Sequence, residues 1–262
     1  MTKFLTAAEL NRAAPSIFAD RPAAHVSDKY AFVPTTQVLS TLESSGWLPV
    51  RVQETSVRLT EKQGYQKHMI RLRHRDAQVI RVGDSLPEIV LTNSHDGLAS
   101  FALSLGLFRL VCSNGLVVSD GMFESARIKH IGYQDDAVID IVGRVIESAP
   151  MIADSVAAWN QTELTQLDQL AFAKGALALR WQDKAPIEAV SLLKARRWED
   201  GKKSVWSTFN TIQENMMQGG LRGRSESGRR SRTRPVQSVS EDIRLNKALW
   251  TMAQALANHK TK

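Results

Sequence analysis

From Trp47 to about Val118 the chain alternates apolar and polar positions at short range, the two-residue period of a pleated strand. Strands are expected over 48–60, 66–75, 77–82, 88–94, 101–112 and 115–118, with one more over 124–132. Gln63-Gly64, Gly83-Asp84 and Asp96-Gly97 supply turn chemistry between them. Ahead of this region, Thr6-Ala-Ala-Glu9 has capping-box spacing with Leu5 and Leu10 placed as a staple, so a short helix begins there. Pro15, Pro22 and Pro34 punctuate an arm, and Thr35 or Thr36 can cap a helix that Gly46 ends.

Beyond Asp135 the period becomes helical. Val138, Ile141, Val142, Val145 and Ile146 form one stripe, which Pro150 is expected to break or kink. Thr162 can cap a second helix, and Pro186 can start a third carrying Ile187, Val190 and Leu193. A fourth, with Val205, Phe209, Ile212 and Met216, stops at Gly219-Gly220, and Ser240 opens the last. Strands first and helices afterwards predict an α+β fold, an antiparallel sheet followed by a helical half. The expected organisation is an arm over 1–34, a sheet region over 35–134 and helices over 135–218. An arginine-rich loop over 219–238 and a final helix over 239–262 complete it, with 35–262 as one domain.

Composition narrows the class. With 262 residues and 43% hydrophobic content the chain can build a sizeable core. No apolar run reaches membrane-spanning length, and the N-terminus lacks a signal-peptide apolar region, so a cytoplasmic protein without membrane contact is expected. One cysteine excludes an intramolecular disulfide framework. The net charge of +7 favours a polyanionic partner.

Two basic segments sharpen that expectation. Residues 219–235, GGLRGRSESGRRSRTRP, hold six arginines, one glutamate and four glycines. So little apolar surface predicts a flexible segment in the free chain, with Arg222, Arg224, Arg229, Arg230, Arg232 and Arg234 available to phosphates. In QKHMIRLRHRD, Lys67, Arg71, Arg73 and Arg75 share one strand face while Ile70 and Leu72 share the other. Facing water about 7 Å apart, these cations would match phosphates along an extended single strand. The structural alternative is a basic face paired with Glu54 or Glu61.

Catalytic chemistry has thinner support. Cys112 stands beside Asn114-Gly115, a strong hairpin-turn dipeptide, and no cysteine-hydrolase pattern surrounds it, so it is expected in the core. Arg109, on a face with Leu105 and Leu107, is expected to be semi-buried and paired with a carboxylate. Phosphate-binding glycine loops, nucleophile elbows and zinc motifs are missing from the sequence. His95 and Asp96 in NSHDG could join His68 or His74 on a metal; the alternative is a turn with His95 partly exposed.

The stretch LTNSHDGLASFALSLGLFRLVCSNGLVVSDG, with WSTFNTIQENMMQGG and DIRLNKALWTMAQALA, resembles the plasmid- and prophage-encoded family labelled domain of unknown function 932. The resemblance runs from about Thr36 and implies a mobile-element context with no assigned activity. The order of strands and helices is similar, by architecture alone, to single-strand annealing proteins of the Rad52 and Red-beta type. The expected function is therefore binding of single-stranded DNA, with RNA as the other chemistry, and annealing during recombination. It needs no cofactor, catalytic residue or metal; self-association into a homo-oligomer stays open. The alternatives are a metal-dependent DNA-processing enzyme and a protein that antagonises a host factor.

Overall fold

The structure is a computed structural model that describes residues 3–27, 30, 32–76, 85–109, 114–117, 135–224 and 227–260. The chain divides into two compact units, residues 1–150 and 151–262.

In the first unit, five antiparallel strands pair in chain order: β1 (Trp47–Glu54), β2 (His68–His74), β3 (Ser85–Asn93), β4 (Ala102–Arg109) and β5 (Asn114–Val117). Asn114 pairs with Arg109 and Gly115 with Phe108. The Asn-Gly dipeptide therefore opens β5 instead of forming the turn centre. Cys112, the expected strands over 77–82 and 124–132 and the side chain of Arg109 lie outside the described residues. Helices α1 (Ala7–Ala13) and α2 (Thr35–Ser44) precede the sheet. The capping box between Thr6 and Glu9 is formed as the spacing predicts. Ile70, Leu72, Ile89, Leu91 and Leu103 make one core with Leu10, Ile17, Val38, Leu39, Leu42 and Trp47 from the arm, α2 and the start of β1.

The expectation for β2 fails at its polar face. Arg71 is 1% exposed and Arg73 4%, so the row of water-facing arginines does not exist. Both guanidiniums meet Glu88 on β3, Arg73 Nη2 at 2.7 Å and Arg71 Nη1 at 3.4 Å. Glu88 is the residue directly opposite Arg73 in the strand register, and it is itself fully buried. Only the ends of the expected row reach solvent. Lys67 is half-buried, and loss of hydration holds its ammonium pKa below the usual lysine value. Arg75, past the end of β2, is exposed and donates to the Glu43 carbonyl.

The second unit is helical. The helix α3 (Asp135–Gln161) begins in the first unit and continues through Pro150, where a break or kink was expected; the second unit holds its remainder and α4 (Gln166–Trp181), α5 (Val205–Gln218) and α6 (Val239–Lys260). Thr165, not Thr162, caps α4 through a box with Asp168. The helix expected from Pro186 is only a single 3-10 turn, Ala189–Leu193. Trp159, Trp206, Phe209 and Trp250 form the aromatic centre, with Trp159 and Trp250 rings 4.4 Å apart. Arg197 and Glu214 join in a two-point ion pair at 2.6 and 2.7 Å.

Replacing Glu88 with Gln leaves two enclosed guanidiniums facing a neutral group. Breaking a buried ion pair from one side costs about 3–5 kcal/mol. Urea unfolding of Glu88→Gln should show that loss, and a change under ~1 kcal/mol would mean that water reaches the pair.

Candidate nucleic-acid interface and the buried histidine cluster

Within residues 219–235 two short strands pair where composition alone predicts no regular structure. Strands β6 (Arg222–Arg224) and β7 (Arg230–Arg232) pair antiparallel, with Arg222 opposite Arg232 and Arg224 opposite Arg230. Directly opposed residues and i, i+2 neighbours share a face, so four arginines lie together on one side of this ribbon. Cross-strand neighbours there are about 5 Å apart and neighbours along each strand about 7 Å. Arg229 and Arg234, also exposed, extend the charge toward the turn and the base. Among the described residues, none of the six forms an ion pair. The ribbon strands border a shallow recess of about 840 Å³.

The opposite face carries Gly223 and Ser231, and it explains how so polar a segment holds its place. The Pro186 carbonyl accepts the Arg224 N–H at 2.8 Å. A Cβ on Gly223 would stand 1.9 Å from that carbonyl oxygen, so the approach requires glycine. At the base, Gly219 and Gly220 have φ of +62° and +81°, turning the chain out of α5. Leu221 and Thr233 exchange bonds there: Leu221 N–H donates to Thr233 Oγ1 at 3.0 Å, and Thr233 N–H to the Leu221 carbonyl at 2.9 Å. Arg180 donates to the carbonyls of Met216 and Arg234, while Arg196 donates to the Gly219 carbonyl at 2.5 Å. The ribbon is thus lashed to the helical unit through backbone, leaving its arginine heads to solvent.

The residues NSHDG occupy the β3–β4 connection as a turn, with Gly97 at φ +74° and Asp96 Oδ1 accepting the Leu98 N–H. His95 is fully buried, where partial exposure was expected. His68 and His95 do come together, with ring centroids 5.4 Å apart, but His74 packs on Trp47 instead. Thr35 Oγ1 lies 2.9 Å from His68 Nε2 and 3.2 Å from His95 Nε2, and Asn93 Nδ2 donates to it at 3.0 Å. Ser16 Oγ stands 2.8 Å from His68 Nδ1. These bonds are mutually consistent if His68 carries its proton on Nδ1 and accepts from Thr35, while His95 donates from Nε2 to Thr35 and its buried Nδ1 has no hydrogen-bond partner. Asn93 Nδ2 also donates to the Val33 carbonyl, and Tyr30 Oη donates to the Ser94 carbonyl.

These bonds stitch the arm to the sheet. Among the described residues no group of three or more His, Cys, Asp or Glu side chains could hold a metal. Ser16, Thr35, His68, Asn93 and His95 are all fully buried. Desolvation lowers the His68 pKa to about 3, helped by the neighbouring His95, while a bond to the Gln66 carbonyl opposes it. Desolvation also lowers His95 to about 4, against the pull of Asp96.

Sequence reasoning missed Trp198, which is 87% exposed. Its signal was available in KARRWEDGKK, one aromatic ring inside a run of cations.

Comparison with known proteins bears on the whole chain. Residues 22–250 match the family model described as domain of unknown function (DUF932). The UPF0380 protein YafZ of Escherichia coli (strain K12) is 39% identical over 260 residues, covering 96% of this chain and 91% of that protein. The UPF0380 protein YfjQ of the same strain is 38% identical over 260 residues with the same coverage. No solved structure matches the chain.

Two outcomes test this geometry. Gly223→Ala forces the ribbon off Pro186, so trypsin should cut within 222–234 sooner, with a stability loss of about 1–3 kcal/mol. Unchanged cleavage would refute the docking. The histidines make stability fall with acid: both stay neutral when folded and titrate near 6.5 when unfolded, so the unfolded chain takes up the protons. The loss begins as pH drops through about 6.5 and continues toward the folded values near 4 and 3. Urea unfolding should show roughly 3–4 kcal/mol less stability at pH 5 than at pH 7 from this pair. A flat profile would mean solvated histidines.

Proposed function

The chain belongs to the DUF932 family, whose description assigns no activity, and we propose that it binds nucleic acid through the arginine ribbon. One observation carries the proposal: four arginines in two directly opposed cross-strand pairs, with no carboxylate paired to them among the described residues. Like charges opposite one another oppose strand pairing. A polyanion reverses that balance, since each phosphate contact releases condensed counterions. Guanidinium suits the task because its planar fork meets phosphate through two parallel hydrogen bonds.

The proposal moves the contact surface. Arg71 and Arg73 are enclosed with Glu88 and take no part, while Lys67, half-buried, and Arg75, exposed and bonded to the Glu43 carbonyl, stand at the two ends of β2. Arg222, Arg224, Arg230 and Arg232 hold the backbone of the ligand, flanked by Arg229 and Arg234. Phosphates carry no base identity, so binding through this face is independent of sequence. The mobile-element setting implied by the family resemblance is compatible with such a role, and strand annealing would require a second strand-binding surface or a second copy of the chain.

The test replaces Arg222, Arg224, Arg230 and Arg232 with Ala together. Single strands give a log–log salt slope of roughly −0.7 per neutralised phosphate, so the slope should flatten by about 3. Affinity at low salt should fall on the order of a hundredfold for any sequence. Circular dichroism should report an unchanged fold, because the docking contacts are backbone. Parent-like affinity and slope would end the proposal.

A further inference from the structure

We infer that Trp198 is a base-stacking platform beside the ribbon, which makes single-stranded nucleic acid the ligand class; the inference rests on the ribbon as the phosphate contact. An indole with 87% of its surface in water forgoes one of the largest hydrophobic gains that any side chain offers. Of the other tryptophans of the same unit, Trp159, Trp206 and Trp250 are buried, and Trp181 is partly buried with the Arg180 guanidinium 4.5 Å from its ring.

Trp198 is held on a braced turn. The preceding residue, Arg197, pairs with Glu214 at two points and reaches Asp200 at 3.7 Å. Glu214 and Asp200 are both buried, so the chain before the indole is fixed to α5 and the chain after it is held to Arg197, while the ring stands out. An exposed ring on a fixed backbone offers a flat apolar face at little ordering cost.

Its neighbours point to the ligand. Lys194, Lys202 and Lys203, within five residues of it along the chain, are exposed, so the segment that presents the ring is rich in solvated cations. Arg196 connects this turn to the ribbon: it donates to Asn215 Oδ1 at 2.8 Å, to Gln218 Oε1 at 2.9 Å and to the Gly219 carbonyl, three residues before Arg222. The two residues before Trp198 are therefore bonded to the C-terminal part of α5, the end from which the ribbon departs. Cations that follow a backbone, with an aromatic ring for its bases, are the two parts of a single-strand site. A duplex cannot use the ring, because its base faces are already covered by one another.

The experiment measures binding of oligodeoxythymidine and of a mixed-sequence duplex to the parent, Trp198→Ala, Trp198→Phe and the ribbon variant. Trp198→Ala should weaken oligodeoxythymidine binding about ten- to a hundredfold with an unchanged salt slope, since stacking involves no phosphate. Duplex affinity should stay at the parent value, and Trp198→Phe should recover most of the loss. Single-strand affinity that matches the parent in Trp198→Ala, while the ribbon variant has lost binding, overturns the stacking role and leaves the ribbon standing. An equal loss on both ligands also overturns it, by making Trp198 a general contact. A ribbon variant that binds like the parent overturns the phosphate reading, and the inference with it.

Discussion

A guanidinium fully enclosed in the protein needs a carboxylate to offset its lost hydration, and that requirement separates Arg71 and Arg73 from the arginines of the ribbon. Arg71 and Arg73 are closed in on the sheet and both turn to Glu88. Arg197 is partly covered and bound to Glu214 and Asp200. Desolvating one such ion costs several kcal/mol, so these pairs have little freedom to release an arginine toward an external anion. The ribbon arginines were never desolvated. Their backbone is fixed by Gly223 against Pro186 and by the bonds at Thr233, and their side chains have kept their hydration. The separation between structural and available cations follows from burial, and the candidate site follows from that separation.

Much of the fold was legible because its signals are local. Thr6 with Glu9 closes a capping box within three residues, and Gly219 terminates α5 through a backbone angle that suits glycine. The alternation in β2 was also correct: Ile70 and Leu72 do share a face opposite to Arg71 and Arg73. What alternation cannot say is whether the second face is wet. That depended on Glu88 arriving opposite Arg73, a matter of strand register between segments fifteen residues apart. The ribbon was misjudged for a similar reason. Its composition argues against order, and the contact that places it comes from Pro186, more than thirty residues earlier.

The NSHDG turn shows how chemistry-bearing residues can be absorbed by architecture. His68 and His95, offered by the sequence as metal ligands, sit instead with a serine, a threonine and an asparagine in one buried network. Several of their bonds tie the arm and the start of α2 to the sheet and its β3–β4 turn: Ser16 to His68, Thr35 to His68 and His95, Asn93 to Val33. A buried polar group without such partners would cost about as much as a lost hydrogen bond, so the network is specific about how the arm lies on the sheet. Imidazoles serve here because a neutral ring can donate on one side and accept on the other.

In the ribbon the same electrostatics work in the reverse direction. Four like charges on two short strands oppose the pairing that assembles them, so the ribbon depends on Pro186, Arg180 and Arg196 for its position. An anion bound across the pairs would remove that repulsion without changing any backbone contact. Binding and ribbon order then draw on one free energy, since whatever binds the folded ribbon more tightly than the free segment also stabilises it. A segment built only for solubility would gain nothing from opposing its arginines in register. Opposed pairs on a docked ribbon are costly alone and favourable with phosphate, which is why their register says more about function here than the net charge of the chain.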